Sequence, residues 1–191
     1  MLKKLLLVSA ISTGLSMGAT ITYTVALSGP NESPANASPG IGSGTVVIDT
    51  IANTMAINFS FSGLTGTTTA SHIHCCTAIP GVSTAGVATT TPSFSGFPLG
   101  VTSGSFSTTL NLLLASSYNP AFVTLHTDIP TSEAFLLSGI ALGDVYLNIH
   151  TSTFGGGEIR GFLTPTPEPG TFGMMGGALA AAAFLRRKFR A

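Results

Sequence analysis

The chain has 191 residues and carries seven basic and seven acidic side chains, only 7% charged residues in all, against about 25% in an ordinary soluble domain. Its neutrality is a sum of unlike parts: Lys3, Lys4, Arg186, Arg187, Lys188 and Arg190 lie at the ends, and from Thr20 to Leu163 Arg160 alone stands against Glu32, Asp49, Asp128, Glu133, Asp144 and Glu158. That central stretch, one basic against six acidic residues for a net −5, excludes nucleic acid and anionic lipid as partners, and its adjacent Cys75-Cys76 pair cannot staple distant strands together.

Met1-Leu2-Lys3-Lys4 is a basic start, Leu5 to Ile11 is apolar, and Met17-Gly18-Ala19 offers small residues for cleavage. Residues 1–19 are thus expected to be a helical signal peptide removed near Ala19. Residues 20–163 form one domain's worth of chain. Alternation dominates it: Ile21, Tyr23, Val25 and Leu27 alternate with small polar residues, as do Met55, Ile57, Phe59 and Phe61. The period of two predicts half-buried antiparallel strands. Further strands are expected over Thr45–Asp49, Ser71–Cys75, Gly104–Leu110, Phe122–His126, Asp144–Thr151 and Glu158–Leu163. Loops rich in Gly, Pro, Ser and Asn fall over Gly29–Gly44, Gly63–Thr69, Pro80–Gly104 and Phe154–Gly157. Single helical turns are expected over Leu112–Ser117 and Ser132–Ser138, the second started by Thr131 or Ser132. The sum is an all-β fold, an antiparallel β-sandwich or flattened barrel.

Residues 164–170 read as a Pro-rich linker containing Pro167-Glu168-Pro169, and residues 171–191 as a membrane-addressed tail. Its uncharged run Thr171–Leu185 is 15 residues, roughly 22 Å as a helix, which is short for a permanent span of a core about 30 Å thick. The basic cluster beginning Arg186-Arg187 would hold the C-terminus on the cytoplasmic side. This order of parts resembles the PEP-CTERM sorting signal of Gram-negative bacteria. The resemblance implies transient insertion as a short transmembrane helix, processing by an exosortase near Pro167-Glu168-Pro169, and release to the cell surface or exopolysaccharide matrix.

Three segments carry the chemistry. His72 and His74 are two apart, so on a strand both project from one face while Ile73 enters the other. In Val145–Thr151, Val145, Leu147 and Ile149 face one way and Tyr146, Asn148 and His150 the other. A glycine turn then leads into Glu158-Ile159-Arg160, which a hairpin could bring beside His150. Imidazole suits copper or zinc, so His72, His74 and His150 are candidate ligands, with Cys75 or Cys76 as less favoured additions. The competing reading has these histidines bonded to Glu158, Tyr146 or backbone carbonyls, holding strand ends in register. His126 reads as structural. Neighbouring cysteines have Cα atoms about 3.8 Å apart, closer than the usual disulfide range. The pair is read first as a strained vicinal bridge, second as two partly buried thiols, third as metal ligands.

Leu27–Pro34, His72-Ile73-His74, Tyr146–Thr151 and Gly156–Gly161 together resemble the CHRD (chordin-type) domain family over nearly all of 20–163. The resemblance implies an immunoglobulin-like β-fold, with a limited likeness to copper-zinc superoxide dismutases in the His-x-His strand and the Gly-Glu-x-Arg-Gly end. It makes Asn148, Glu158 and Arg160 family-motif positions, and it implies no agreed activity. Two departures stand out: Cys75-Cys76 follows His-x-His where glycine is usual, and Gly155 replaces a proline. The expectation is an exported, non-enzymatic structural or adhesive component of biofilm matrix, with exopolysaccharide as a partner. The alternative is an extracytoplasmic copper- or zinc-binding protein with weak redox activity.

Overall fold

The computed structural model describes residues 20–166. The signal peptide, Pro167, Glu168, Pro169, the apolar segment and the Arg186-Arg187 cluster lie outside the described residues. Eight strands are formed: β1 (Thr20–Ser28), β2 (Ile41–Asp49), β3 (Thr54–Ser62), β4 (Thr68–His74), β5 (Gly104–Asn111), β6 (Tyr146–Thr151), β7 (Ile159–Phe162) and β8 (Thr164–Pro165). They pair antiparallel in the order β4-β6-β7-β1-β2-β3-β5, with β8 beside β1. The sheet curls into a half-barrel, and the fold is all-β as the alternation predicts.

The alternation places the core. Met55, Ile57, Phe59 and Phe61 of β3 are buried, as are Tyr23, Val25 and Leu27 of β1. Phe59, Phe97 and Phe106 meet with ring centroids 5.6–6.0 Å apart, a spacing suited to tilted aromatic packing. The β4 edge of the sheet is covered by the chain that follows it. The chain after β4 doubles back along it, with Ala88 N–H donating to Ile73 O at 2.9 Å and Phe94 N–H to Ser71 O at 2.9 Å. Farther on, Gly100 N–H donates to Thr68 O and Thr68 N–H to Val101 O, both at 2.8 Å. The approach to β5 is thereby tied to the start of β4, whose backbone is not left open for another chain.

Two helices depart from the sequence expectation. Phe122–His126 is no strand: Pro120–Leu125 forms α1, with Asn119 as N-cap accepting from Ala121 N–H at 3.0 Å. The Asn119-Pro120 start signal outweighs the local run of β-formers. Ile129–Leu142 is α2, a full 14 residues rather than one turn, capped by Asp128, which accepts from Thr131 N–H at 2.8 Å, and ended by left-handed Gly143. Apolar residues at exposed Phe135 and Leu142 as well as buried Leu136 and Ile140 hide the 3.6-residue period. Among the described residues no helix is long and apolar enough to cross a membrane.

Gly139 lets α2 lie against the end of β4. A Cβ there would collide with Cys76 Sγ and come within 3.0 Å of Cys75 Sγ and 3.2 Å of Val145 Cγ2. Gly139→Ala is therefore expected to destabilise the fold by about 1–3 kcal/mol through overpacking. Gly156→Ala, whose Cβ would meet nothing within 4 Å, should leave the melting temperature nearly unchanged. Thermal melts of the two variants check this contrast.

Candidate metal centre

The two faces of β4 and β6 do different work. Ile73, Leu147 and Ile149 are fully buried in the core, so by alternation His72, His74 and His150 share the outer face. The register sets His72 opposite Asn148, His74 opposite Tyr146 and His150 opposite Ala70. This brings the rings together, with centroids 4.7 Å apart for His72–His74 and for His72–His150, and 5.8 Å for His74–His150. Loops roof them over: His72 is 7% and His74 8% exposed.

Each ring is oriented by a main-chain carbonyl. Nδ1 of His72 faces Pro92 O at 3.2 Å, that of His74 faces Ala85 O at 2.8 Å, and that of His150 faces Gly155 O at 2.9 Å. A carbonyl oxygen only accepts, so each Nδ1 carries the proton and each Nε2 keeps its lone pair. All three Nε2 atoms are buried without a hydrogen-bond partner. One nitrogen from each ring lies within 4.8 Å of those of the other two. A point within about 2.8 Å of all three therefore exists (4.8 Å divided by √3), and closing to the 2.0–2.1 Å of a metal–imidazole bond needs ring shifts below 1 Å. Among the described residues no carboxylate or cysteine belongs to this group.

Burial keeps the imidazoles neutral. It lowers His72 to about 3, helped by His74 and His150, and lowers His74 to about 4 against the opposing bond from Ala85 O. His150 is lowered for the same reason. Carbonyl-anchored histidines with a free, neutral Nε2 are the arrangement found behind metal ligands. The reading of these histidines as register pins is thus half of what is seen: the Nδ1 atoms do that, and the Nε2 atoms do not.

Outside the three rings stands a stack. The Tyr146 ring lies 4.7 Å from that of His74 at an interplanar angle of 6°, and the Arg160 guanidinium sits 4.7 Å from the Tyr146 centroid. Arg160 donates through Nε to Asn31 O at 2.5 Å and through Nη1 to Ser83 O at 2.6 Å. Glu32 lies 3.9 Å from Arg160 Nε. Burial raises the Glu32 carboxyl to about 7, with Arg160 pulling the other way. Asn148 sits in the same outer row, its Oδ1 buried without a partner.

Other expected residues go elsewhere. Glu158 does not reach His150. Its fully buried carboxylate accepts from Ser38 Oγ at 2.6 Å, Thr65 N at 2.5 Å, Gly66 N at 3.1 Å and Thr151 Oγ1 at 2.6 Å. Cys75 and Cys76 are bonded to each other, and Cys75 lies in the apolar core with Ile73, on the side of β4 away from the imidazoles. Their place as additional metal ligands is thereby corrected: a disulfide offers no thiolate. His126 ends α1, its ring 4.0 Å from that of Phe135 and 4.5 Å from that of Phe122, apart from the cluster.

A family model for the CHRD domain matches residues 23–163, spanning β1 to the residue after β7 and enclosing all three histidines. The chain belongs to the CHRD-domain family. A second model, for the PEP-CTERM protein-sorting motif, matches residues 165–188. It makes this CHRD-domain protein an exported one, processed at the membrane by an exosortase and directed to the surface. No curated protein and no solved structure matches the chain. In this CHRD domain the departure at Gly155 costs the centre nothing, since it is the carbonyl of that residue that orients His150.

Proposed function

We propose that this surface-directed CHRD domain is a metal-binding protein that holds one copper or zinc ion on the Nε2 atoms of His72, His74 and His150. The observation that carries the reading is the convergence of three buried lone pairs with no hydrogen-bond donor to meet them. An unsatisfied buried acceptor costs about 1–3 kcal/mol, and a cation would satisfy all three at once. A purely structural or adhesive role leaves that convergence unexplained. Residence in an exopolysaccharide matrix rests on the sorting signal and the low-charge, Ser/Thr-rich surface, and it is compatible with metal binding.

Elemental analysis of the protein in its processed form, isolated from the surface or matrix fraction of its own cells, tests this. About one copper or zinc per chain is expected, and His72→Ala should remove it. Well under one metal per chain, unchanged by the substitution, would refute the proposal. Protein remaining intact in the inner membrane would contradict the matrix assignment alone.

The pH dependence follows from the lowered imidazole values. Protons compete with metal for Nε2 only below the folded pKa, at about 3 for His72 and about 4 for His74. Zinc affinity measured by competition is therefore expected to stay nearly level from pH 8 to about 5.5, where ordinary imidazoles of pKa about 6.5 already lose ligand capacity. A steep fall beginning near pH 6.5 would show that the rings are solvated and the lone pairs not preorganised.

A further inference from the structure

Resting on the reading of the three imidazoles as a metal centre, we infer that the site is built for monovalent copper in three-coordinate form rather than for zinc or divalent copper. Three features of the surroundings carry this. The first is ligand charge: among the described residues the group is three neutral imidazoles, with no carboxylate or thiolate in it to offset an ion. The second is exclusion of solvent. All three Nε2 atoms are buried. The nearby cleft of about 600 Å³ is lined by Arg160, Glu32, Phe162 and Val82 among others, and not by any of the three histidines. The third is the neighbouring cation, Arg160, held against Tyr146, which in turn stacks on His74.

Zinc in proteins is four-coordinate, and with three protein ligands it takes a water or substrate in the fourth position. Divalent copper prefers a tetragonal set of four or more. Both need a further ligand, to which the burial of the three Nε2 atoms leaves little access. Monovalent copper, a filled-shell ion, is content with three nitrogens in a plane. Charge points the same way. The cost of moving an ion out of water grows with the square of its charge, so a divalent ion costs about four times as much as a monovalent one of similar size. Neutral imidazoles return none of that through charge pairing. Arg160 adds a further positive charge nearby, which Glu32 at 3.9 Å offsets in part.

The test uses the full chain in detergent, titrated with monovalent copper under anaerobic ascorbate against a chromophoric chelator, and separately with zinc and with divalent copper. Monovalent copper is expected to bind one per chain, at least about a hundredfold tighter than zinc, with an X-ray absorption spectrum of three nitrogen neighbours. His150→Asp, at the least buried of the three rings, adds one negative charge and should lower that preference at least about tenfold. Equal or tighter binding of zinc or divalent copper, with four light-atom neighbours, would overturn this inference and leave the imidazole centre standing. Failure of all three ions to bind would overturn both.

Discussion

His72→Gln and His74→Gln are each expected to abolish metal-dependent stabilisation of this protein. A ligand at a thousand times its dissociation constant stabilises the folded state by about 4 kcal/mol. For a chain of this size that corresponds to a rise of roughly 8–16 °C in melting temperature. The wild type should show that rise on adding metal, and the variants should show almost none. In the metal-free state the substitutions should change stability by only about 1 kcal/mol, because each removes a buried acceptor that has no partner as well as a ring. This separation of metal-free from metal-bound behaviour distinguishes a ligand from a structural histidine. A histidine that served as a register pin alone would lose stability in both states alike.

The largest effect on the fold itself is expected at Glu158. Its carboxylate gathers the segment before β2, the turn before β4 and the end of β6 through Ser38, Thr65, Gly66 and Thr151. Glu158→Ala strands four donors, at about 1–3 kcal/mol for each one that water cannot reach. A loss of about 4 kcal/mol or more follows, a large share of the 5–15 kcal/mol that holds a domain together. Glu158→Gln should cost less, since its amide oxygen still accepts and only the other position becomes a donor facing donors. Urea unfolding curves measure both.

The pH profile gives an independent check. Burial raises the Glu158 pKa, but the four hydrogen bonds outweigh it and leave the group below its ordinary 4.5. The unfolded chain then binds this proton first as pH falls, so stability rises with pH in that window. The contribution of Glu158 is full above pH 4.5 and is lost as pH drops through its lower folded value. His72 and His74, lowered to about 3 and about 4, also make the metal-free protein lose stability with falling pH, but from about 6.5 downward. The difference between wild type and Glu158→Gln isolates the carboxylate: it should be level above pH 4.5 and shrink below it.

Much of this architecture could be read from residue order. The alternation in β1, β3 and β6 sorts side chains between two faces, and His72-x-His74 with His150 falls on one of them by the same rule. The start of β2 at Ile41 was hidden because Gly42 and Gly44, which pack against Leu27 and Phe59 inside the sheet, read as turn residues. The length of α2 was hidden by apolar residues on its exposed side. At the centre, the three ligand candidates were legible and their anchors were not. Pro92, Ala85 and Gly155 act through main-chain oxygens, which any residue supplies and no side-chain pattern announces. Glu158 was misplaced because its spacing from His150 fits a hairpin contact. Four donors from segments distant in sequence, or across the turn, claim it instead, and only the folded chain shows them.

Nitrogen-15 NMR of the imidazoles, recorded with and without monovalent copper, a diamagnetic ion, under anaerobic ascorbate, addresses the lone-pair geometry most directly. Without metal, His72, His74 and His150 are all expected to be neutral with the proton on Nδ1 at pH 6. Monovalent copper should then move the three Nε2 resonances together while His126 stays in place. Protonated rings at pH 6, a proton on Nε2 in any of the three, or Nε2 resonances indifferent to the metal would contradict the proposed centre.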